Sequence, residues 1–146
     1  MRMSITSGSA TVENAWNLVG NVVWSGDKQR AARTLTFDLA ASQNDPNLPA
    51  VECPVGAVVS LWGDDGSPLF QGMVVTRELA DTDAMMPVTA HDNGRLLANN
   101  DGTEKIRDET AEAGVSRIWR SYGIPVGALA ATGVPLRRKF TATPLW

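Results

Sequence analysis

Residues 33–40, RTLTFDLA, alternate strictly. Leu35, Phe37 and Leu39 fall on one side, and Thr34, Thr36 and Asp38 fall on the other. A period of two puts successive side chains on opposite faces, so this run predicts a half-buried antiparallel strand. Ahead of it, residues 21–24 (NVVW) read as its partner strand, and Ser25, Gly26 and Asp27 supply turn chemistry between the two. Residues 57–62 and 69–78 are two further β-rich runs, joined by Gly63, Asp64, Asp65, Gly66, Ser67 and Pro68, the strongest hairpin signal in the chain. Gly72 interrupts the second run and predicts either a bulge or a close backbone approach, and bulges curl a sheet toward closure. Residues 86–91 form another strand, followed by a short helical turn over 94–98.

After Lys105 the period changes. Across 109–122, Ala111, Val115, Ile118 and Tyr122 recur at helical spacing, which predicts a surface helix with one face on a core. Thr110 is placed to cap it, Glu112 suits the positive end of the helix dipole, and Gly123 can take the left-handed conformation that ends a helix. Gly114 inside it costs about 1 kcal/mol relative to alanine. Residues 124–146, with Pro and Gly at intervals, read as an extended linker leading into something further. An apolar ending of Pro144, Leu145 and Trp146 gains little unless it docks, so either the tail packs back or the chain is the front part of a longer protein. Two parts are expected, a β domain over 1–104 and a helix with linker over 105–146.

With 146 residues and 43% apolar side chains, the chain is long enough to bury a core without staples. Cys53 has no partner cysteine, so nothing marks an oxidising compartment. No apolar run is long enough for a signal peptide or a bilayer span, and the expectation is a soluble chain made in the cytoplasm. The net charge of −3 gives no general reason to bind nucleic acid. The charge is uneven: residues 1–104 balance to −7 and residues 105–146 to +4. Arg137, Arg138 and Lys139 are consecutive, and such a triplet reads as a solvated strand or loop before it reads as an anion site.

Most chemistry is absent from the pattern. There is no phosphate loop, no dinucleotide fingerprint and no histidine pair at metal-ligand spacing; with one His and one Cys, structural zinc is excluded. No cofactor is expected. His91 followed by Asp92 resembles a base and its orienting carboxylate, but neighbours on a strand point apart. Asp64 with Asp65, and Asp81 with Asp83, sit among Gly, Ser and Thr, where turns recruit aspartate, rather than in a calcium loop. The tryptophans at 16, 24, 62, 119 and 146 have no basic residues interleaved, which favours core or interface use over base stacking. Cys53, in VECPVG, reads as a buried, inert thiol.

Four segments taken in order, VVWSGDKQRAARTLTFDL (22–39), VGAVVSLWGDDGSPLFQGMVV (55–75), VTAHDNGRLLANND (88–101) and DETAEAGVSRIWRSYGIPVGALAATGVPL (108–136), resemble the baseplate hub proteins of contractile phage tails of the XkdQ/YqbQ type. More distantly they are similar to late control protein D and to the hub part of type VI secretion spike proteins. In that resemblance Trp24, Ser25, Gly26 and Asp27 match a turn between early strands, and Arg33, Leu35 and Phe37 match the strand after it. Gly56, Phe70 and Gly72 match the hairpin; Asp92, Leu96 and Leu97 match the short helix; Thr110, Ala111 and Glu112 match the start of the long one. These are architectural positions and not a catalytic site.

The resemblance implies a mainly β fold, a small antiparallel tail-tube-like barrel with a short helix, then one amphipathic helix and a linker toward a second barrel. It implies a non-enzymatic hub in the virion tail baseplate that joins the tail tube to the central spike. Its partners would be copies of itself in a trimer or larger ring, the tail tube protein, the spike and other baseplate proteins. DNA would pass through without being specifically bound, no membrane would be involved, and the acidic first hundred residues would suit a channel wall. Such hubs run well beyond this chain's length. Two other classes are consistent with the residues: a small β-barrel module binding peptide or sugar in an aromatic-lined pocket, and a cell-wall hydrolase, for which His91 and Asp92 are poor candidates.

Overall fold

The computed structural model describes residues 1–27, 32–40, 47, 51–78, 85–98 and 101–144. Asp81, Asp83 and Trp146, considered above, lie outside them. The chain divides into two compact units, Met1–Arg95 and Leu96–Trp146. The change in composition at Lys105 thus falls inside the second unit.

The first unit is one antiparallel sheet of β1 (Arg2–Ser7), β2 (Ala10–Val12), β3 (Val19–Ser25), β4 (Thr34–Ala40), β5 (Val58–Trp62), β6 (Pro68–Arg77) and β7 (Met85–Asp92), in the order β2-β1-β5-β6-β7-β4-β3. It curls into a half-barrel. Leu35, Phe37 and Leu39 of β4 are buried and stand opposite Ala90, Val88 and Met86 of β7, all buried too. Directly opposed residues share a face, so the register stacks the apolar set of each strand on one side. Met3 and Ile5 of β1 meet Leu61 and Val59 of β5 in the same way. A 3-10 turn, Ala15–Leu18, runs between the two edge strands β2 and β3; it buries Ala15, and Trp16 and Leu18 pack against the core.

Gly72 resolves as the close approach. A Cβ there would lie 2.2 Å from the His91 carbonyl oxygen, and its pairing with Val59 and Asp92 is regular. The register shifts fall elsewhere, between Gly20 and Val23, Leu61 and Trp62, and Val74 and Thr76. In β3 the shift is built on Asn21, at a positive φ of 49°, whose amide donates to Asp38 at 2.6 Å. Asparagine tolerates this left-handed backbone better than most side chains.

The second unit contains α1 (Gly94–Ala98) in part, β8 (Asp101–Thr110), α2 (Ala111–Ser121) and β9 (Pro135–Pro144). β8 and β9 form an antiparallel ribbon. Two expectations are corrected here. The extended linker is, over Pro135–Pro144, a strand, because its partner β8 satisfies its backbone where its own apolar pattern does not announce one. The helix stripe also stops short of Tyr122, which is 41% exposed. The helix ends in a Schellman cap: Gly123, at φ +69°, donates to the Arg120 carbonyl at 3.0 Å and Ile124 donates to that of Trp119 at 2.9 Å. Tyr122 sits at the turn itself. Gly114, a propensity cost in sequence, is a packing requirement: a Cβ would lie 2.7 Å from Ile106 Cδ1, and both residues are buried. Thr110 occupies the N-cap position with extended backbone but makes no side-chain capping bond.

Gly72→Ala should therefore destabilise the first unit by about 1 to 3 kcal/mol, since the clash is with backbone and cannot be relieved by a rotamer change. A urea melt reports it as a lower midpoint at unchanged slope. An unchanged midpoint would contradict the close approach.

Candidate assembly surfaces

The residues singled out by the resemblance divide between core, backbone geometry and surface. Leu35, Phe37 and Phe70 are core side chains. Gly56 is at φ +92° and its N–H donates to the Val74 carbonyl at 2.9 Å, fixing the entry to β5. The aliphatic stem of Arg33 lies against Gly26, where a Cβ would be 3.0 Å from Arg33 Cγ. Asp92 accepts from the Arg33 and Gly94 amides, both at 3.0 Å, which ties the start of β4 to the start of α1. Leu96 is 45% exposed and Leu97 half-buried. Asp27 is exposed after β3, and Ala111 opens α2.

The structure spends the candidate chemical groups on architecture. One Asp92 carboxylate oxygen serves two amides, and His91 sits opposite Met73 and Thr34 in the neighbouring strands. Asp65 closes the β5–β6 turn by accepting from the Ser67 hydroxyl at 2.6 Å and amide at 2.9 Å, which lowers its pKa. Asp64 pairs with the N-terminal amine. Burial pushes the Cys53 thiol up to about 11, against a smaller opposing effect of Arg77, so it is a poor nucleophile near neutral pH. Among the described residues no cluster of His, Cys, Asp and Glu could hold a metal, and no helix is long and apolar enough to cross a membrane.

What the first unit does present is uncommitted surface. β3 is an edge strand carrying Val23 at 58% and Trp24 at 41% exposure, with no Lys or Pro to blunt it. On the face of the sheet away from the core, the register lines up Thr6, Val58, Met73, His91 and Thr34 across five strands. Val58 and Met73 in that row are exposed, as is Val55 before β5. The row contains no Asp, Glu, Lys or Arg.

The second unit presents the opposite chemistry. Lys105 of β8 stands directly across from Lys139 of β9. Together with Arg107, Arg137, Arg138 and Ile106 they line an open cleft of about 280 Å³. Two of the four carboxylates of β8 are committed elsewhere: Glu109 accepts from Arg117 Nη2 at 2.8 Å, and Glu104 lies 3.6 Å from Nη1. Arg117 also donates to the Lys105 carbonyl at 2.8 Å, fastening α2 to the ribbon. Reading the basic triplet alone missed Lys105 and Arg107, which only the β8–β9 register brings beside it.

The strand β9 is held in place from α2. Glu112 accepts from the Thr132 hydroxyl at 2.7 Å and the Gly133 amide at 3.4 Å, just ahead of β9. Hydrogen bonds from its own backbone amide and from Thr132 bring its pKa down to about 2.

A family model described as YQBQ-like matches residues 22–143. Among solved structures, the fold is similar to that of a tail protein from Neisseria meningitidis, with a TM-score of 0.56 and 11% identity over 82% of this chain and 34% of that one. It is also similar to the 43 kDa tail protein of prophage MuSo2 from Shewanella oneidensis, with a TM-score of 0.64 and 11% identity over 99% of this chain and 46% of that one. The chain therefore spans less than half the length of either structure. No curated protein matches it in sequence.

The Glu112 clamp gives a pH prediction. Its folded pKa lies below the ordinary 4.5, so its contribution is present above that value and is lost as pH falls toward about 2. Helix melting followed by circular dichroism should show wild type above Glu112→Gln at pH 6, with the gap closing between pH 4.5 and 2. A gap that persists at pH 2 would contradict a charge-dependent clamp.

Proposed function

The chain belongs to the YQBQ-like family, and on that premise we propose that it is a structural, non-enzymatic component of a phage tail, the part of a baseplate hub that joins the tail tube to the central spike. The family match, which runs through both units, carries this reading. The shared fold with two tail proteins supports it. Its partners are other copies of this chain, the tail tube protein, the spike and neighbouring baseplate proteins, and its place is the virion tail.

The surfaces support assembly in physical terms. An exposed edge strand with apolar side chains invites pairing by another chain, and a ring of copies hides it. An outer row without Asp, Glu, Lys or Arg loses little on desolvation, because it has no carboxylate, ammonium or guanidinium to strip of water. The groups that catalysis would need, His91 and Asp92 above all, are distributed between opposite faces or bound to backbone amides.

Light scattering on a size-exclusion column over a hundredfold concentration range, with negative-stain imaging, tests the proposal. Trimers or larger rings with a central hole are expected. Val23→Lys should weaken assembly at least tenfold while leaving the melting midpoint nearly unchanged, because Val23 is exposed and surface substitutions cost within about 0.5 kcal/mol. A single-chain mass at every concentration would contradict the reading.

A further inference from the structure

The β8–β9 ribbon is built against its own electrostatic interest. Like charges placed directly opposite each other on neighbouring strands are destabilising, and Lys105 faces Lys139 in this way. Arg107, Arg137 and Arg138 crowd the same cleft. Of the acidic residues of β8, Glu104 and Glu109 are engaged by Arg117, and Asp101 and Asp108 form no ion pair with the bases of the cleft among the described residues. Among the described residues no carboxylate lies within ion-pair distance of Lys105, Arg107, Arg137 or Lys139. The Arg138 guanidinium carbon lies 5.3 Å from the centre of the Phe140 ring. Such a cluster is relieved by an anion from outside.

We propose that this cleft is an interaction site for carboxylates of a second copy of the chain, namely those of its acidic first unit. The inference rests on the assembly reading above. Charge complementarity selects the occupant: the first unit, residues 1–95, balances to −5, and the second, residues 96–146, to +2. A polyphosphate such as DNA would meet the ribbon but be repelled by the rest of the chain, whereas a second copy offers the missing carboxylates. A contact between unlike surfaces is heterologous, so it runs head to tail and gives closed rings when the rotation closes. It also steers the encounter of copies and makes assembly depend on salt.

The test compares the mass of full-length wild type and the triple variant R137E/R138E/K139E by light scattering in 50 and 500 mM NaCl. The triple variant sets a glutamate opposite Lys105, turning a repulsion into an attraction, so its melting midpoint should hold or rise. Lost assembly would then not be a folding defect. K105E/R107E reverses the other strand and serves as an independent second variant, and Arg120→Glu, on α2, is the control. The expected result is at least a tenfold weaker self-association for both ribbon variants and for wild type in high salt, with Arg120→Glu unchanged. Rings that persist in both ribbon variants would overturn this inference and leave the hub reading standing. A wild type that is never more than one chain would overturn both. A labelled 30-base-pair duplex that binds wild type in 150 mM NaCl and not the triple variant, with self-association unaffected, would overturn the second copy in favour of nucleic acid.

Discussion

A sheet has two faces, and among the described residues of the first unit only a short 3-10 turn and the segment 51–57, with buried Cys53 and Ala57, add to the cover of one of them. The chain buries one face by curling the sheet around it. That single constraint explains the register, which stacks Met3, Ile5, Leu35, Phe37, Val59, Leu61 and Val88 into one core. It also explains why Gly72 must be glycine: the inner faces of β6 and β7 come too close at His91 for a Cβ. The shifts in β3, β5 and β6 bend the strands where the curl requires it.

The same constraint decides what is left for function. Curling satisfies the inner face and leaves an outer face and two edges. Threonine, valine, methionine and histidine occupy the row across the outer face, where a solitary soluble sheet would carry acidic and basic side chains. In the second unit the division is electrostatic: Arg117 collects Glu104 and Glu109 of β8 and leaves the basic side chains in the cleft. One unit thus offers an apolar edge and a row without Asp, Glu, Lys or Arg across its outer face, the other a concentrated positive patch. Both suit a protein whose work is to be held among others.

Those parts of the fold governed by short-range pattern were legible in the sequence. The β3–β4 pair, the β5–β6 hairpin and β7 follow from alternation and turn residues, and Gly123 marked the helix end. β9 was not legible, because Leu136 and Phe140 are the only large apolar residues in a stretch that is otherwise basic, small or proline, and its partner lies across α2. Gly114 carried a propensity signal of the wrong sign, since its contact with Ile106 is tertiary. The pairing of β1 with β5, more than fifty residues apart, leaves no local trace. The candidate surfaces were half visible: Trp24 and the basic triplet stand out in one dimension, while Lys105 opposite Lys139, and Val58 beside Met73, exist only in the register.

In the proposed assembly the β3 edge of the first unit receives another copy of the chain. Amide hydrogen exchange read by mass spectrometry, on the full chain at a dilute and at a hundredfold higher concentration, addresses it directly. The amides of Val19–Ser25 should exchange at least tenfold more slowly at the higher concentration, while those of the central strand β6 stay equally protected at both. Equal exchange along β3 at the two concentrations would contradict it.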